Sequence, residues 1–478
     1  MLFNSLDFAI FLPIVFILYW LLTQRNLKLQ NLLIVLASYV FYGWWDWRFL
    51  SLILFSTVID YTIGLFLSKE QNDFKRKILL WCSILVNLGF LGFFKYYNFF
   101  LDNFVSAFRF FGQEISTSGL NIILPVGISF YTFQTLSYSI DVYKRKLEPT
   151  KDFIAFSAFV CFFPQLVAGP IERATHLLPQ FYKKRHFEYD KTINGIHLFL
   201  WGLFKKIVIA DSCALYVNTI FDNYESLNSI TLILGAIYFS FQIYCDFSGY
   251  SDMAIGLSRL FGFDLMQNFN YPYFSRDIAE FWRRWHISLS TWFRDYLYIP
   301  IGGSRGSKLF QIRNVFIIFI VSGFWHGANW TFVFWGLINA VFFIPLLLVN
   351  KNRNNINIVA PAKLLPTIKE FLNIIFTYII VVYAWIFFRA NSITDAFSYI
   401  VRIFDFKITS GIEYLSIDRY AIENLFIITI FIIFEWLSRE NEHPLCGRFR
   451  KIKLIIVLIL LILLGVYSQA TNFIYFQF

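Results

Sequence analysis

Charged residues are scarce in this sequence: Asp, Glu, Lys and Arg make up 15% of its 478 residues, against about a quarter in an average soluble domain. Hydrophobic residues make up 58%, and the mean hydropathy is +0.58, which is more than a soluble chain of this length can bury. Such a composition excludes an intrinsically disordered chain, a coiled coil and a collagen-like protein. It predicts a multi-pass membrane protein, in which the 21% of aromatic residues suit lipid-facing helices and interfacial belts.

Several chemical motifs are also missing. The five cysteines are scattered, without a Cys-x-x-Cys pair or a histidine at ligand spacing, so we expect neither a disulfide framework nor a metal site. No nucleophile elbow, phosphate-binding loop or dinucleotide fingerprint occurs. The formal net charge of +10 is interpreted as a determinant of loop orientation, so no nucleic-acid partner is predicted.

Apolar runs long enough to cross a bilayer recur throughout the chain. They cover residues 8–24, 29–45, 49–67, 78–94, 115–140, 226–245, 371–388, 420–437 and 454–478. Residues 314–350 contain no Asp, Glu, Lys or Arg and would form one helix about 55 Å long, so we expect two helices with a break at residues 323–327. The sequence predicts about 11 or 12 crossings.

These segments predict one all-α integral-membrane domain over residues 1–478. N-terminal helices over residues 1–112 precede a core at about 115–350, and C-terminal helices follow over residues 366–478. Residues 153–171 lie between two basic stretches and are predicted to form a re-entrant or interfacial element on the cytoplasmic side. Lys and Arg also concentrate in the linker at 351–369, which we therefore expect to be cytoplasmic. That orientation places the 323–327 break within the membrane or toward its outer face.

Two histidines are candidate functional residues. His326 lies at the expected helix break between Gly323 and Asn329, and no other titratable side chain occurs in residues 314–350. A packing histidine hydrogen-bonded to a neighbouring helix is the structural alternative. The small neighbours favour a functional role, because a neutral imidazole can accept a proton from a hydroxyl at neutral pH.

The second histidine, His286, lies in a stretch, residues 279–298, that is rich in tryptophan and arginine. Helical spacing there predicts an amphipathic interfacial helix anchored by residues such as Trp292 and Arg284. For His286, a catalytic or substrate-orienting role and a structural role both stay open. The same holds for Asp246 and Asp252, which could line a ligand tunnel or cap and join helices. Lys205 and Lys206 are expected to face an aqueous cavity or to extend to the inner membrane surface.

Taken together, these segments resemble the membrane-bound O-acyltransferase superfamily, and within it the bacterial alginate O-acetyltransferase group. The resemblance is carried by residues 124–133, 163–173, 203–211, 244–253, 281–303, 323–330, 385–390 and 473–478. It implies an all-α fold in which tilted helices surround a central funnel. The acyl donor would enter this funnel from the cytoplasmic side and the acceptor from outside.

The resemblance also implies site residues. His326 matches the invariant histidine of the family, and His286 matches its second polar active-site position. Further candidates as substrate-binding or tunnel-lining residues are Asn329, Asp246, Asp252, Trp325 and Arg284.

The implied function is an O-acetyltransferase that moves an acetyl group across a bacterial inner membrane, for O-acetylation of an exopolysaccharide or cell-wall glycan. We expect an acetyl thioester such as acetyl-CoA as the donor, no bound cofactor, and a periplasmic or surface SGNH-type acetyltransferase as the partner that completes transfer to the polysaccharide. Transfer of D-alanine to teichoic acid is an alternative within the superfamily. A transporter with an Asp and His proton relay is an alternative of another class, although no repeat of two halves supports it.

Overall fold

The computed structural model describes residues 1–113, 115, 119–405, 421–447, 449–467 and 473–474. This part of the chain is helical and contains no β-strand. Its α-helices are α1 Leu6–Ile17, α2 Leu27–Asp46, α3 Leu50–Lys69, α4 Asp73–Leu91, α5 Tyr97–Phe110, α6 Ile128–Tyr143, α7 Phe153–Cys161, α8 Phe163–Leu166, α9 Ala174–Leu177, α10 Tyr189–Phe204, α11 Asp211–Asp222, α12 Ser229–Leu260, α13 Ile278–Arg284, α14 Ile287–Phe293, α15 Lys308–His326, α16 Trp330–Leu348, α17 Ile368–Arg389, α18 Ile393–Phe404, α19 Ala421–Leu437 and α20 Arg450–Leu464.

Several helical stretches have the length and apolar composition needed to cross a membrane. Among the described residues these are Leu27–Lys69, Asp73–Phe110, Ser229–Leu260, Lys308–His326, Trp330–Leu348 and Ile368–Arg389. The first contains two successive 20-residue helices, α2 and α3, each about 30 Å long and so long enough to cross alone. The chain is therefore a multi-pass membrane protein, and the total of 11 or 12 crossings stays a prediction.

The chain divides into two compact units. Unit 1 comprises Met1–Gly195 and Ala254–Met266, and unit 2 comprises Ile196–Met253 and Gln267–Phe478. Whether they act as the single domain expected from the sequence also stays a prediction.

Within unit 1, a fully buried carboxylate joins three helices. Asp60 of α3 accepts hydrogen bonds from Ser83 (2.5 Å) and Asn87 (2.9 Å) of α4 and from Ser139 (2.9 Å) of α6. Polar groups in a bilayer need internal partners, because hydrocarbon supplies none. These bonds satisfy the Asp60 carboxylate without a basic residue.

The predicted helix over residues 115–140 is wrong at its beginning, since α6 begins only at Ile128. Gly127 precedes it with a φ of 74°, and a Cβ there would lie 2.6 Å from the carbonyl oxygen of Leu166. Such a left-handed, crowded position suits glycine and ends any helix that approaches from the N-terminal side. The 153–171 segment forms the short helices α7 and α8, which are too short to cross a bilayer and are buried within unit 1.

Within unit 2, glycines allow α15 and α16 to pack closely. A Cβ on Gly323 would collide with the carbonyl of Phe332, and one on Gly336 would collide with the carbonyl of Phe319. Close backbone contact through small residues is typical of membrane helices. This packing brings the C-terminal end of α15, with His326, against the beginning of α16 and confirms the predicted break in the 314–350 run.

Candidate active site

His286 lies in a strained turn between two short helices. Helix α13 ends at Arg284, α14 begins at Ile287, and His286 has φ 43° and ψ 55°, a left-handed conformation that is uncommon for residues other than glycine. The backbone N–H of Ile287 donates to the carbonyl of Asn268 at 2.9 Å, which helps to hold the turn. Backbone strain of this kind can mark a functional site, but six other residues besides glycine share a positive φ among the described residues, so a functional role for His286 stays a prediction.

The imidazole of His286 is almost fully buried, with 1% of its surface exposed. Phe247 of α12 contacts it edge to face, with ring centroids 4.5 Å apart, and Nδ1 lies 3.1 Å from the side-chain oxygen of Asn268. Burial lowers the pKa of His286 well below its usual range, and charge on the neighbouring His326 would lower it further. Burial therefore favours the neutral form of the His286 imidazole.

His326 is the last residue of α15 and is 3% exposed. Its ring contacts three aromatic rings, those of Trp325 (4.9 Å between centroids), Trp335 (5.2 Å) and Phe388 (5.4 Å). Trp325 also lies 6.0 Å from the ring of His286, so one indole contacts both histidines. The structure thus brings His286, His326 and Trp325 together in a buried, aromatic setting that limits access of water.

A second polar cluster lies at the junction of α10, α11 and α12. Lys205 binds Asp252 and the hydroxyl of Ser248, both at 2.8 Å. Lys206 binds Asp246 and Asp211, also at 2.8 Å. The expectation that both lysines face an aqueous cavity or extend to the inner surface is wrong, since each is 2% exposed and paired with carboxylates. A buried ammonium needs such partners to offset its lost hydration.

The two aspartates therefore have identified structural partners. Asp246 also accepts a hydrogen bond from the backbone N–H of Ile474 at 2.7 Å, so it joins the C-terminal part of the chain to α12. A tunnel-lining role for Asp246 and Asp252 stays a prediction.

The predicted single amphipathic helix over residues 279–298 is wrong, since α13 ends at Arg284 and α14 begins at Ile287. Arg283 and Arg294 are exposed as expected, whereas Arg284 and Trp292 are buried. Trp292 is 7% exposed, and the guanidinium of Arg284 is buried against Glu280 at 2.8 Å. Arg276 binds the same carboxylate at 3.0 Å. An interfacial helix would expose Trp292 and Arg284 to lipid headgroups. Here Trp292 is buried, and Arg284 forms an internal ion cluster with Glu280 and Arg276. The guanidinium of Arg284 binds Glu280 and backbone carbonyls. A substrate contact by Arg284 stays a prediction.

Asn329 caps α16. Its side-chain oxygen accepts from the backbone N–H of Thr331 at 3.0 Å, and its amide donates to the carbonyl of Asn391 at 3.2 Å. Both contacts hold the turn that follows His326. A direct role of Asn329 at the substrate carbonyl stays a prediction.

The chain is thus a multi-pass helical protein in which His286 and His326 share a buried aromatic cluster. The family model of MBOAT, the membrane-bound O-acyltransferase family, matches residues 39–388, which is well over half of the chain. The chain belongs to this family and is an acyltransferase.

Relatives narrow this assignment. The chain is 42% identical over 451 residues to the probable alginate O-acetylase AlgI of Pseudomonas aeruginosa, covering 93% of this chain and 83% of that protein. It is 37% identical over 425 residues to the peptidoglycan O-acetyltransferase of Helicobacter pylori, covering 83% and 78%. The teichoic acid D-alanyltransferase of Bacillus subtilis is 30% identical over 234 residues, covering only 46% of this chain and 58% of that protein. Similarity is thus more extensive to O-acetylases than to the D-alanyltransferase.

Proposed function

We propose that this protein is an O-acetyltransferase of a bacterial inner membrane that moves acetyl groups across the bilayer for O-acetylation of an exopolysaccharide or a cell-wall glycan. The observation that carries the proposal is the buried pair His286 and His326, linked through Trp325, in a chain whose more extensive similarities are to O-acetylases. The donor is an acetyl thioester, with acetyl-CoA as the chemically simplest example.

In the proposed reaction, His326 acts as the general base. It accepts the proton of the acceptor hydroxyl while the hydroxyl oxygen attacks the acetyl carbonyl. The C–S bond of the thioester breaks, the acetyl ester forms, and the proton passes to the thiolate that leaves. His286 stays neutral, and through an imidazole nitrogen it orients the reacting groups.

The aromatic enclosure supports this chemistry. Trp325, Trp335 and Phe388 surround His326 on several sides, so few positions for bulk water remain around the base. Exclusion of water limits hydrolysis of the thioester and strengthens electrostatic interactions with the developing negative charge. A periplasmic or surface SGNH-type acetyltransferase is the proposed partner that receives the group and transfers it to the polysaccharide.

Two alternatives predict different products. Transfer of D-alanine is supported by the partial similarity to the D-alanyltransferase. Transport without transfer would use Asp and His residues as a proton relay, but Asp252 and Asp246 are each paired with a buried lysine. The O-acetylase similarity over 93% of the chain favours acetyl transfer.

The test compares surface glycans from cells that lack the protein with those from cells that carry it. Mild alkali releases ester-linked groups, which are then identified by mass spectrometry. We expect the loss of ester-linked acetate with unchanged D-alanine and unchanged glycan yield. Loss of ester-linked D-alanine with unchanged acetate would support D-alanine transfer instead of acetyl transfer. Loss of the glycan itself would support transport.

A further inference from the structure

Asn268 contacts the turn that carries His286 from several directions. It is fully buried and precedes His286 by eighteen residues in unit 2. Its side-chain oxygen lies 3.1 Å from Nδ1 of His286 and accepts from the hydroxyl of Ser288 at 2.8 Å and from the backbone N–H of Ser288 at 3.2 Å. Its backbone carbonyl accepts from Ile287. One residue therefore binds three consecutive positions, residues 286–288.

These contacts determine which way the Asn268 amide points. The backbone N–H of Ser288 can only donate, so the side-chain atom that it meets is the carbonyl oxygen. On the opposite side, the amide nitrogen donates to the hydroxyl of Ser251 at 2.9 Å. A flipped amide would place two donors against each other at Ser288, at the cost of a buried unsatisfied N–H.

The amide orientation in turn favours one tautomer of His286, because the side-chain oxygen of Asn268 lies 3.1 Å from Nδ1. The hydroxyl of Ser288 also lies 3.4 Å from Nδ1, but it is closer to the oxygen of Asn268, to which it donates at 2.8 Å. A carbonyl oxygen cannot donate, so Nδ1 of a histidine that hydrogen-bonds to it must carry the proton. In a neutral imidazole the other nitrogen, Nε2, then has the lone pair. Helix α12 supports this arrangement from one face. Its Ser251 accepts a hydrogen bond from the Asn268 amide, and its Phe247, which lies four residues earlier on the same face, packs on the His286 ring.

We propose that Asn268 is a positioning residue that holds His286 as the neutral tautomer protonated on Nδ1, so that Nε2 presents a lone pair to the reacting groups. The interaction of Nε2 with the reacting groups rests on the proposed function, whereas the assignment of the His286 tautomer does not. Asparagine suits this task because its side-chain oxygen accepts a hydrogen bond from Nδ1–H without adding a negative charge. An aspartate in its place would stabilise the imidazolium and remove the lone pair.

The test uses nitrogen NMR of protein labelled at its six histidines. Subtracting the spectrum of the His286→Gln variant isolates the two ring nitrogens of His286. At pH 7 we expect a protonated Nδ1 and an unprotonated Nε2. In Asn268→Asp the pH at which both nitrogens become protonated should rise by about 1–3 units, because a carboxylate at hydrogen-bond distance favours the imidazolium, so the two proteins are compared over a pH series. The charge of His326 also lowers the pKa of His286, and it is the titratable neighbour that acts on this pKa among the described residues.

Asn314→Asp is the matched control, because Asn314 is also buried in unit 2 but binds the carbonyl of Gly303 at 2.8 Å. It should leave the His286 signals unchanged. A protonated Nε2 with an unprotonated Nδ1 in the unchanged protein would overturn the proposal even if Asn268→Asp failed to fold, and so would an equal effect of the control variant.

Activity provides the second measurement. If acetyl transfer requires neutral His286, the acid limb of the pH profile should move to higher pH in Asn268→Asp, by about one unit or more, and activity should recover in alkaline buffer. A uniform loss at every pH would overturn the positioning role. Because the NMR result needs no acetyl transfer, failure of the proposed function and failure of the tautomer assignment are distinguishable.

Discussion

Replacing Glu280 by Gln should destabilise the protein strongly. The carboxylate of Glu280 is 1% exposed and lies 2.8 Å from a nitrogen of Arg284 and 3.0 Å from one of Arg276. Its second oxygen accepts from the backbone N–H of Arg276 at 2.8 Å. The amide keeps the size of the side chain but leaves Arg284, itself 7% exposed, without its anionic partner.

The magnitude follows from burial. Removing one partner of a buried ion pair costs about 3–5 kcal/mol, which is roughly a hundredfold to a few thousandfold in the folding equilibrium. Asp295→Asn is the control, because it neutralises the carboxylate of an ion pair that is far more exposed. Asp295 lies 2.7 Å from Arg294, and the side chains of Arg294 and Asp295 are 57% and 21% exposed. An exposed pair contributes about 0–1 kcal/mol.

The assay measures, in detergent, the fraction of protein that stays monodisperse on size-exclusion chromatography after heating. We expect the midpoint temperature to fall clearly for Glu280→Gln and to change little for Asp295→Asn. Equal midpoints for the two variants would refute the reasoning from burial. Loss of activity in Glu280→Gln with an unchanged midpoint would instead indicate that Arg284 contacts substrate.

Further predictions concern packing and topology. Gly323→Leu should reduce the amount of folded protein, because its side chain meets the carbonyl of Phe332, whereas Gly89→Leu, with open space around it, should be tolerated; membrane yield checks both. Asp60→Leu should lower the thermal midpoint, since it leaves three buried donors of unit 1 without their acceptor, and an unchanged midpoint would contradict this. A reporter fused after Asn357 should be cytoplasmic because the 351–369 linker is basic, and an external signal would contradict the orientation.

Helix breaks could be predicted where composition forces them. Residues 314–350 are too long for one crossing, which predicts a break, and Gly323 and Gly327 place that break beside His326. The break beside His286 could not be predicted from periodicity, because it depends on hydrogen bonds that residues of the turn donate to Asn268, which is distant in sequence. Trp285, adjacent to it, is 1% exposed, as a buried turn requires.

Charge pairing was the main feature that sequence reasoning missed. Lys205 and Lys206 are neighbours in sequence, yet they bind Asp252 and Asp246, which lie about one and two-thirds helical turns apart on α12. Partners that far apart in the chain leave no local periodicity. The signal that could have found them is the number of carboxylates in apolar runs, since each intramembrane charge needs a partner.

The central claim, that His326 is the catalytic base, is tested most directly by His326→Gln. Glutamine keeps much of the side chain's size and hydrogen-bonding capacity but cannot exchange a proton near neutral pH. A positioned general base contributes about 100-fold to 10,000-fold in rate, so the account predicts normal membrane abundance, an unchanged thermal midpoint and no measurable ester-linked acetate on the surface glycan. Wild-type levels of glycan acetate at matched protein abundance would contradict it.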